Sequence, residues 1–191
     1  MSQQQLLIDI ISILENLNIQ YMLTGSTVSS VQGEPRSTHD IDIIISINKE
    51  DIEKIYMGLK NDSYYIDLES IKDAIENKSM FNLIDMNEGD KVDFWLLTNT
   101  PFDKKRFERK IKTNIFNKTM YVSSYEDTIL MKLKWSKDSF GSKKQYIDAL
   151  RVYEINKDLI NNEYLLYWSK ILDIEDLLEK MLSEVVVFDK N

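Results

Sequence analysis

The chain has 191 residues, no cysteine, a single histidine and a formal net charge of −8. The length suits one domain, or a core with a helical appendage, and the missing thiols exclude disulfides, thiolate catalysis and zinc–thiolate centres. An apolar content of 43% excludes global disorder, and the acidic balance argues against indiscriminate nucleic-acid binding.

Apolar residues at 6, 7, 10, 11, 13, 14 and 17 predict a helix over 6–17. A strand over 19–24 ends at Gly25, and a short helix over 26–30 would point its N-terminus at whatever binds beside Gly25-Ser26. Gly33 and Pro35 mark 32–37 as a loop. The most apolar strand follows over 40–47, then Asn48 caps a helix over 49–60 with Glu50 and Asp51 in its first turn. A helix over 68–77 precedes strands over 81–85 and 91–97, joined by the turn Asn87-Glu88-Gly89-Asp90. On the latter strand Val92, Phe94 and Leu96 share one face, and Asp93, Trp95 and Leu97 the other. A short fifth strand over 120–123 ends the mixed region. Helices follow over 125–135, 143–154, 163–171 and 174–182, with Ser124, Ser142 and Asn162 as candidate caps for the first three.

The fold expected is α/β (α+β): a small mixed sheet flanked by helices over 1–123, and a C-terminal helical bundle over 124–191. The bundle is expected to pack on the core, because about 68 residues make a small core alone. Met1-Ser2-Gln3-Gln4-Gln5 lacks the basic start of a signal peptide, and no apolar run reaches the ~18 residues of a membrane span. The expectation is a cytoplasmic chain with no membrane partner.

Three features carry chemistry. Gly25-Ser26 closes a strand, where a residue without Cβ lets a phosphate approach the backbone. Asp40 and Asp42, at i and i+2 of a strand, project from one face. Asp93 lies inside a later apolar strand. If those strands pair, three carboxylates meet, a costly arrangement unless a cation compensates them. Hard oxygen ligands suit a divalent metal, and two such ions can clamp the attacking and leaving oxygens of an in-line displacement. The alternative is that Asp40 and Asp42 cap the strand and pair with Arg36 or a lysine.

Gly25-Ser26, then Arg36-Ser37-Thr38-His39-Asp40-Ile41-Asp42, then Lys91-Val92-Asp93-Phe94 resemble the signature of the DNA polymerase β-type nucleotidyltransferase superfamily. The Arg-x-Thr-x-Asp-Ile-Asp form resembles its minimal bacterial and abortive-infection-toxin members. The resemblance continues through 124–135 and 145–148 to Tyr164-Leu165-Leu166-Tyr167-Trp168. It implies an NTP donor, two Mg2+ ions (Mn2+ as substitute) held by catalytic Asp40, Asp42 and Asp93, and transfer to a hydroxyl acceptor such as a tRNA end, a protein or a small molecule. It also implies nucleotide binding by Gly25, Ser26, Arg36, Thr38 and Lys132, and admits a toxin with a protein antitoxin as partner. A catalytically silent nucleotide- or partner-binding module of the same fold is the alternative. Two departures stand out: the long loop of thirteen residues between Ser26 and Asp40, and an amide, Gln145, where related chains often carry an acid.

Other residues divide between functional and ordinary readings. Lys132 either reaches a triphosphate or is a surface lysine. Asp148 reads as a surface acid, with orientation of Lys132 as the alternative. His39, between two motif residues, invites a catalytic reading, but it should point opposite Asp40. Residues 101–150 carry 12 basic and 6 acidic side chains, against 7 and 17 in 1–100. The cluster Lys104-Lys105-Arg106-Arg109-Lys110-Lys112 is thus either a grip for a polyanion or a solvated face. Trp135, Tyr164, Trp168 and Phe188 read as packing.

Overall fold

A computed structural model describes residues 2–38 and 40–185. The chain divides into two compact units: 1–27 with 38–122, and 28–37 with 123–191. The fold is a mixed sheet flanked by helices with a C-terminal helical bundle.

In the first unit, α1 (Gln3–Asn16) starts at Ser2, whose hydroxyl accepts from the Gln5 N–H, and buries Leu6, Leu7, Ile10, Ile11 and Leu14. This stripe is the one its 3.6-residue periodicity dictates. Next come β1 (Gln20–Thr24), α2 (Gly25–Gln32), which from Val28 on belongs to the second unit, and β2 (Asp40–Ser46). Asn48 closes a reciprocal cap with Asp51, but the first turn after it is a 3-10 helix, Lys49–Asp51, before α3 (Ile52–Leu59). Then follow β3 (Tyr64–Ile66), α4 (Leu68–Asn77), β4 (Met80–Asp85), β5 (Lys91–Leu96), α5 (Pro101–Glu108), β6 (Ile111–Ile115) and β7 (Lys118–Val122).

Among the described residues the sheet has seven strands in the order β3-β4-β5-β2-β1-β7-β6, not five: β3 and β6 were not expected. β2 lies between antiparallel β1 and parallel β5. Both neighbours are central, so β2 reads as an almost continuous apolar run with Ile41, Ile43, Ile44 and Ile45 buried. Val92, Phe94 and Leu96 of β5 are buried as the alternation requires, with Phe94 stacked on Phe81 at 4.9 Å between ring centroids. Met22, Ile44 and Phe107 form a cluster on which Leu97 packs.

The basic stretch after β5 is not a uniform solvated face. Thr100 caps α5, Arg106 is buried against Asp103 at 2.7 Å, and the Lys110 ammonium lies 3.9 Å from the Phe107 ring centroid. Burial holds Lys110 below the usual lysine range.

In the second unit, α6 (Tyr125–Asp138), α7 (Lys143–Asn156), α8 (Asn162–Ile171) and α9 (Glu175–Glu184) form the bundle. Ser124 caps α6, its hydroxyl accepting from the Asp127 N–H and donating to the Asp127 carboxylate. Tyr164 donates to the other oxygen of that carboxylate and packs beside Trp168. The cap of α8 is Asn161 rather than Asn162: its side chain accepts from the Tyr164 N–H. Ser142 precedes α7 but makes no side-chain cap; its carbonyl accepts from Ser136. Phe188 lies outside the described residues. No described helix is long and apolar enough to cross a membrane.

Candidate functional site

The first unit gathers the acids. β2 and β5 run parallel with Asp42 opposite Asp93 and Asp40 opposite Lys91. Because adjacent strands in register share side-chain faces, Asp40, Asp42, Lys91, Asp93 and Trp95 all project to one side of the sheet. Asp40 is exposed, Asp42 half-buried, and Asp93 only 7% exposed. β2 and β5 do pair, and β5 is an interior strand of the sheet.

Gly25 closes the other side of Asp42. In the antiparallel β1–β2 pair Thr24 faces Asp42, so the chain leaves the sheet at Gly25 directly beside that carboxylate. A Cβ on Gly25 would lie 2.0 Å from Asp42 Oδ2, and Gly25 has φ +71°. Both facts demand glycine. Ser26 follows in the first turn of α2. The Thr38 hydroxyl donates to the Asp40 carbonyl at 3.3 Å.

Charge compensation comes from Lys91. Its ammonium is 3.0 Å from Asp93 Oδ2 and 3.9 Å from Asp40 Oδ1. The hydrogen bond to Asp93 raises Lys91 above the usual lysine range against the opposing effect of burial, with the charges of Asp93, Asp40 and Asp42 adding to it. The Trp95 indole N–H donates to Asp42 Oδ1 at 3.2 Å. Asp93 Oδ1 is buried with no hydrogen-bond partner. Among the described residues no group of three or more His, Cys, Asp or Glu side chains is arranged to hold a metal ion. The residues nevertheless suit one: hard oxygens on one face, one of them buried and unsatisfied, beside a backbone stripped of its Cβ.

In the second unit, Arg36 does not meet Asp40; it grips Asp148 in a bidentate pair, at 3.0 Å from Nε to Oδ1 and 2.7 Å from Nη2 to Oδ2. Lys132 is buried, 1% exposed, and donates to Asp148 Oδ2 at 2.8 Å and to Gln145 Oε1 at 2.9 Å. Ser29 adds a hydroxyl at 3.3 Å from Asp148 Oδ2. Burial pushes the Asp148 carboxyl up, but hydrogen bonds and charge from Arg36 and Lys132 outweigh it and hold the group below the usual carboxylate range. Two readings are thereby corrected: Lys132 is not a surface lysine, and Asp148 is not a surface acid. Lys132 is buried and Asp148 half-buried, where α6 and α7 pack together along the face that carries Lys132, Gln145 and Asp148.

Sequence reasoning placed Trp95 on the face of Asp93 without giving it a role, and gave none to Lys91, although a residue at i−2 of Asp93 must share its face. His39 lies outside the described residues.

The fold is similar to that of solved nucleotidyltransferase-like and adenylyltransferase structures. An antigenic nucleotidyltransferase-like protein from Paracoccidioides brasiliensis is similar at TM-score 0.58 and 14% identity, over 95% of this chain and 88% of that one. The lincosamide antibiotic adenylyltransferase LnuA, with lincomycin bound, is similar at 0.56 and 16%, over 81% and 98%. ANT(2'')-Ia in complex with adenylyl-2''-tobramycin is similar at 0.56 and 12%, over 97% and 100%. No family model matches the chain, and no curated protein matches it in sequence.

Proposed function

We propose that this chain is a magnesium-dependent nucleotidyltransferase that moves a nucleoside monophosphate from an NTP to a hydroxyl acceptor and releases pyrophosphate. The observation that carries the reading is the register of β2 and β5, which sets Asp42 beside Asp93 with Asp40 at the mouth and Gly25 against Asp42. Asp40, Asp42 and Asp93 would hold the divalent ions, which when bound neutralise the triphosphate and acidify the acceptor hydroxyl. Asp93 brings a buried, unpaired oxygen able to accept the hydroxyl proton. Gly25 opens the backbone to a phosphate, and Ser26 offers its N–H and hydroxyl at the start of α2. Trp95 fixes the orientation of Asp42. Arg36, Thr38 and Lys132 enter the proposal as nucleotide ligands on their sequence motif.

The fold neighbours named for adenylylating an antibiotic make a small-molecule hydroxyl the first acceptor to try. The motif's likeness to abortive-infection toxins adds tRNA and protein hydroxyls, and an antitoxin as binding partner. The test is incubation with Mg2+ and α-labelled NTPs over those three acceptor classes. Label transferred by the wild type and lost in Asp42→Ala supports the proposal; equal labelling by both, or none by either, contradicts it. The second reading, a silent nucleotide-binding module, draws on the compensation of Asp40 and Asp93 by Lys91. Calorimetric NTP binding without pyrophosphate release, across the acceptor panel, would favour it.

A further inference from the structure

Lys91 does something a surface ion pair would not. It stands on the same strand face as Asp93, two residues before it, and opposite Asp40. From there its ammonium spans the most exposed and the most buried members of the acid cluster, Asp40 and Asp93. The third, Asp42, is held separately by the Trp95 indole. Lys91 is therefore placed where three carboxylates need a positive charge, and Asp93 Oδ1 is still left buried and unsatisfied. A lysine ammonium offers three donors on a flexible stem, and with a side-chain exposure of 36% Lys91 can withdraw into solvent without moving a strand.

We propose that Lys91 is a built-in counter-ion of the acid cluster, holding Asp40 and Asp93 together in the metal-free protein and giving way to the divalent cation, so that it weakens and thereby sets the cation's affinity. This rests on the metal-dependent reading above. Lys91 is a positioning residue: it touches the carboxylates, not the substrate. A monovalent charge in competition with a divalent ion makes the cluster respond to free metal concentration rather than stay loaded. It also offsets the repulsion between Asp93 of β5 and the two acids of β2 when no metal is present.

The experiment titrates Mn2+ into the full chain and reads free Mn2+ by electron paramagnetic resonance, with thermal melts in parallel. Lys91→Met keeps the stem and removes the charge; Lys91→Arg keeps the charge. A unit positive charge about 5 Å from a divalent ion, screened as in water, corresponds to an affinity change of roughly tenfold. Lys91→Met should therefore bind Mn2+ about tenfold more tightly than the wild type, with Lys91→Arg close to wild type. The melting temperature of Lys91→Met should fall without metal and recover to the wild-type value when saturated with Mn2+. A purely structural lysine would lower both melts alike. Unchanged or weaker Mn2+ binding by Lys91→Met overturns the proposal while leaving the metal site intact. No millimolar Mn2+ binding by either protein overturns the metal-dependent reading, and this inference with it. Lys91→Gln serves the same comparison should Lys91→Met not fold.

Discussion

Asp148→Asn tests the second unit most sharply. Asparagine keeps the volume of aspartate, so no cavity opens and the change is electrostatic. It strips the charge from a carboxylate with a side-chain exposure of 9% that pairs with Lys132, itself 1% exposed. Removing one partner of a buried pair leaves an uncompensated charge, at about 3–5 kcal/mol. Arg36 is partly exposed and adds little, because solvent rescues it. A loss of about 3 kcal/mol corresponds to a fall in Tm of roughly 6–12 °C for a chain of this size. Circular dichroism melts and urea titrations at pH 7 measure it. Lys132→Met removes the stranded charge, so the double variant Asp148→Asn/Lys132→Met should regain most of the loss. A single variant within about 1 kcal/mol of wild type, or a double variant no more stable than the single, would refute the argument that Asp148 exists to balance a buried ammonium.

The same carboxylate fixes a pH dependence. Its folded pKa lies below the ordinary value, so its contribution is present above the unfolded carboxylate pKa of about 3.9 and is lost as pH falls through the folded value. Wild-type Tm should therefore drop more steeply than that of Asp148→Asn as pH falls below the unfolded carboxylate pKa of about 3.9. Gly25→Ala should weaken Mn2+ binding and any transferase activity, since its Cβ would displace Asp42, and should cost about 1–2 kcal/mol from the positive φ alone, read by urea titration. Phe116→Asn should stabilise by about 0.5–1 kcal/mol, seen as a raised urea midpoint, because residues 116 and 117 both have positive φ in the tight turn between β6 and β7.

That turn also explains what the sequence concealed. Phe116-Asn117 carries no glycine, so nothing in it announces a hairpin, and β6 before it alternates only Ile111, Thr113 and Ile115 against polar neighbours. β3 spans three residues, too few for a period-two signal. The acids, by contrast, were legible because Asp40, Asp42 and Asp93 stand inside strongly apolar strands whose alternation leaves them one direction to point. Lys91 was legible by the same rule and was passed over because lysines ordinarily mean surface. The Arg36–Asp148 pair was not legible, since it joins residues 112 positions apart through packing that no local pattern encodes. The same holds for the burial of Lys132 between α6 and α7.

The most direct measurement is a crystal soaked with Mn2+ and a non-hydrolysable NTP, read by anomalous scattering. The account expects Mn2+ within roughly 2.5 Å of carboxylate oxygens from both Asp42 and Asp93, with a nucleotide phosphate against Gly25-Ser26. Manganese bound elsewhere, or a nucleotide seated away from those acids, would contradict it.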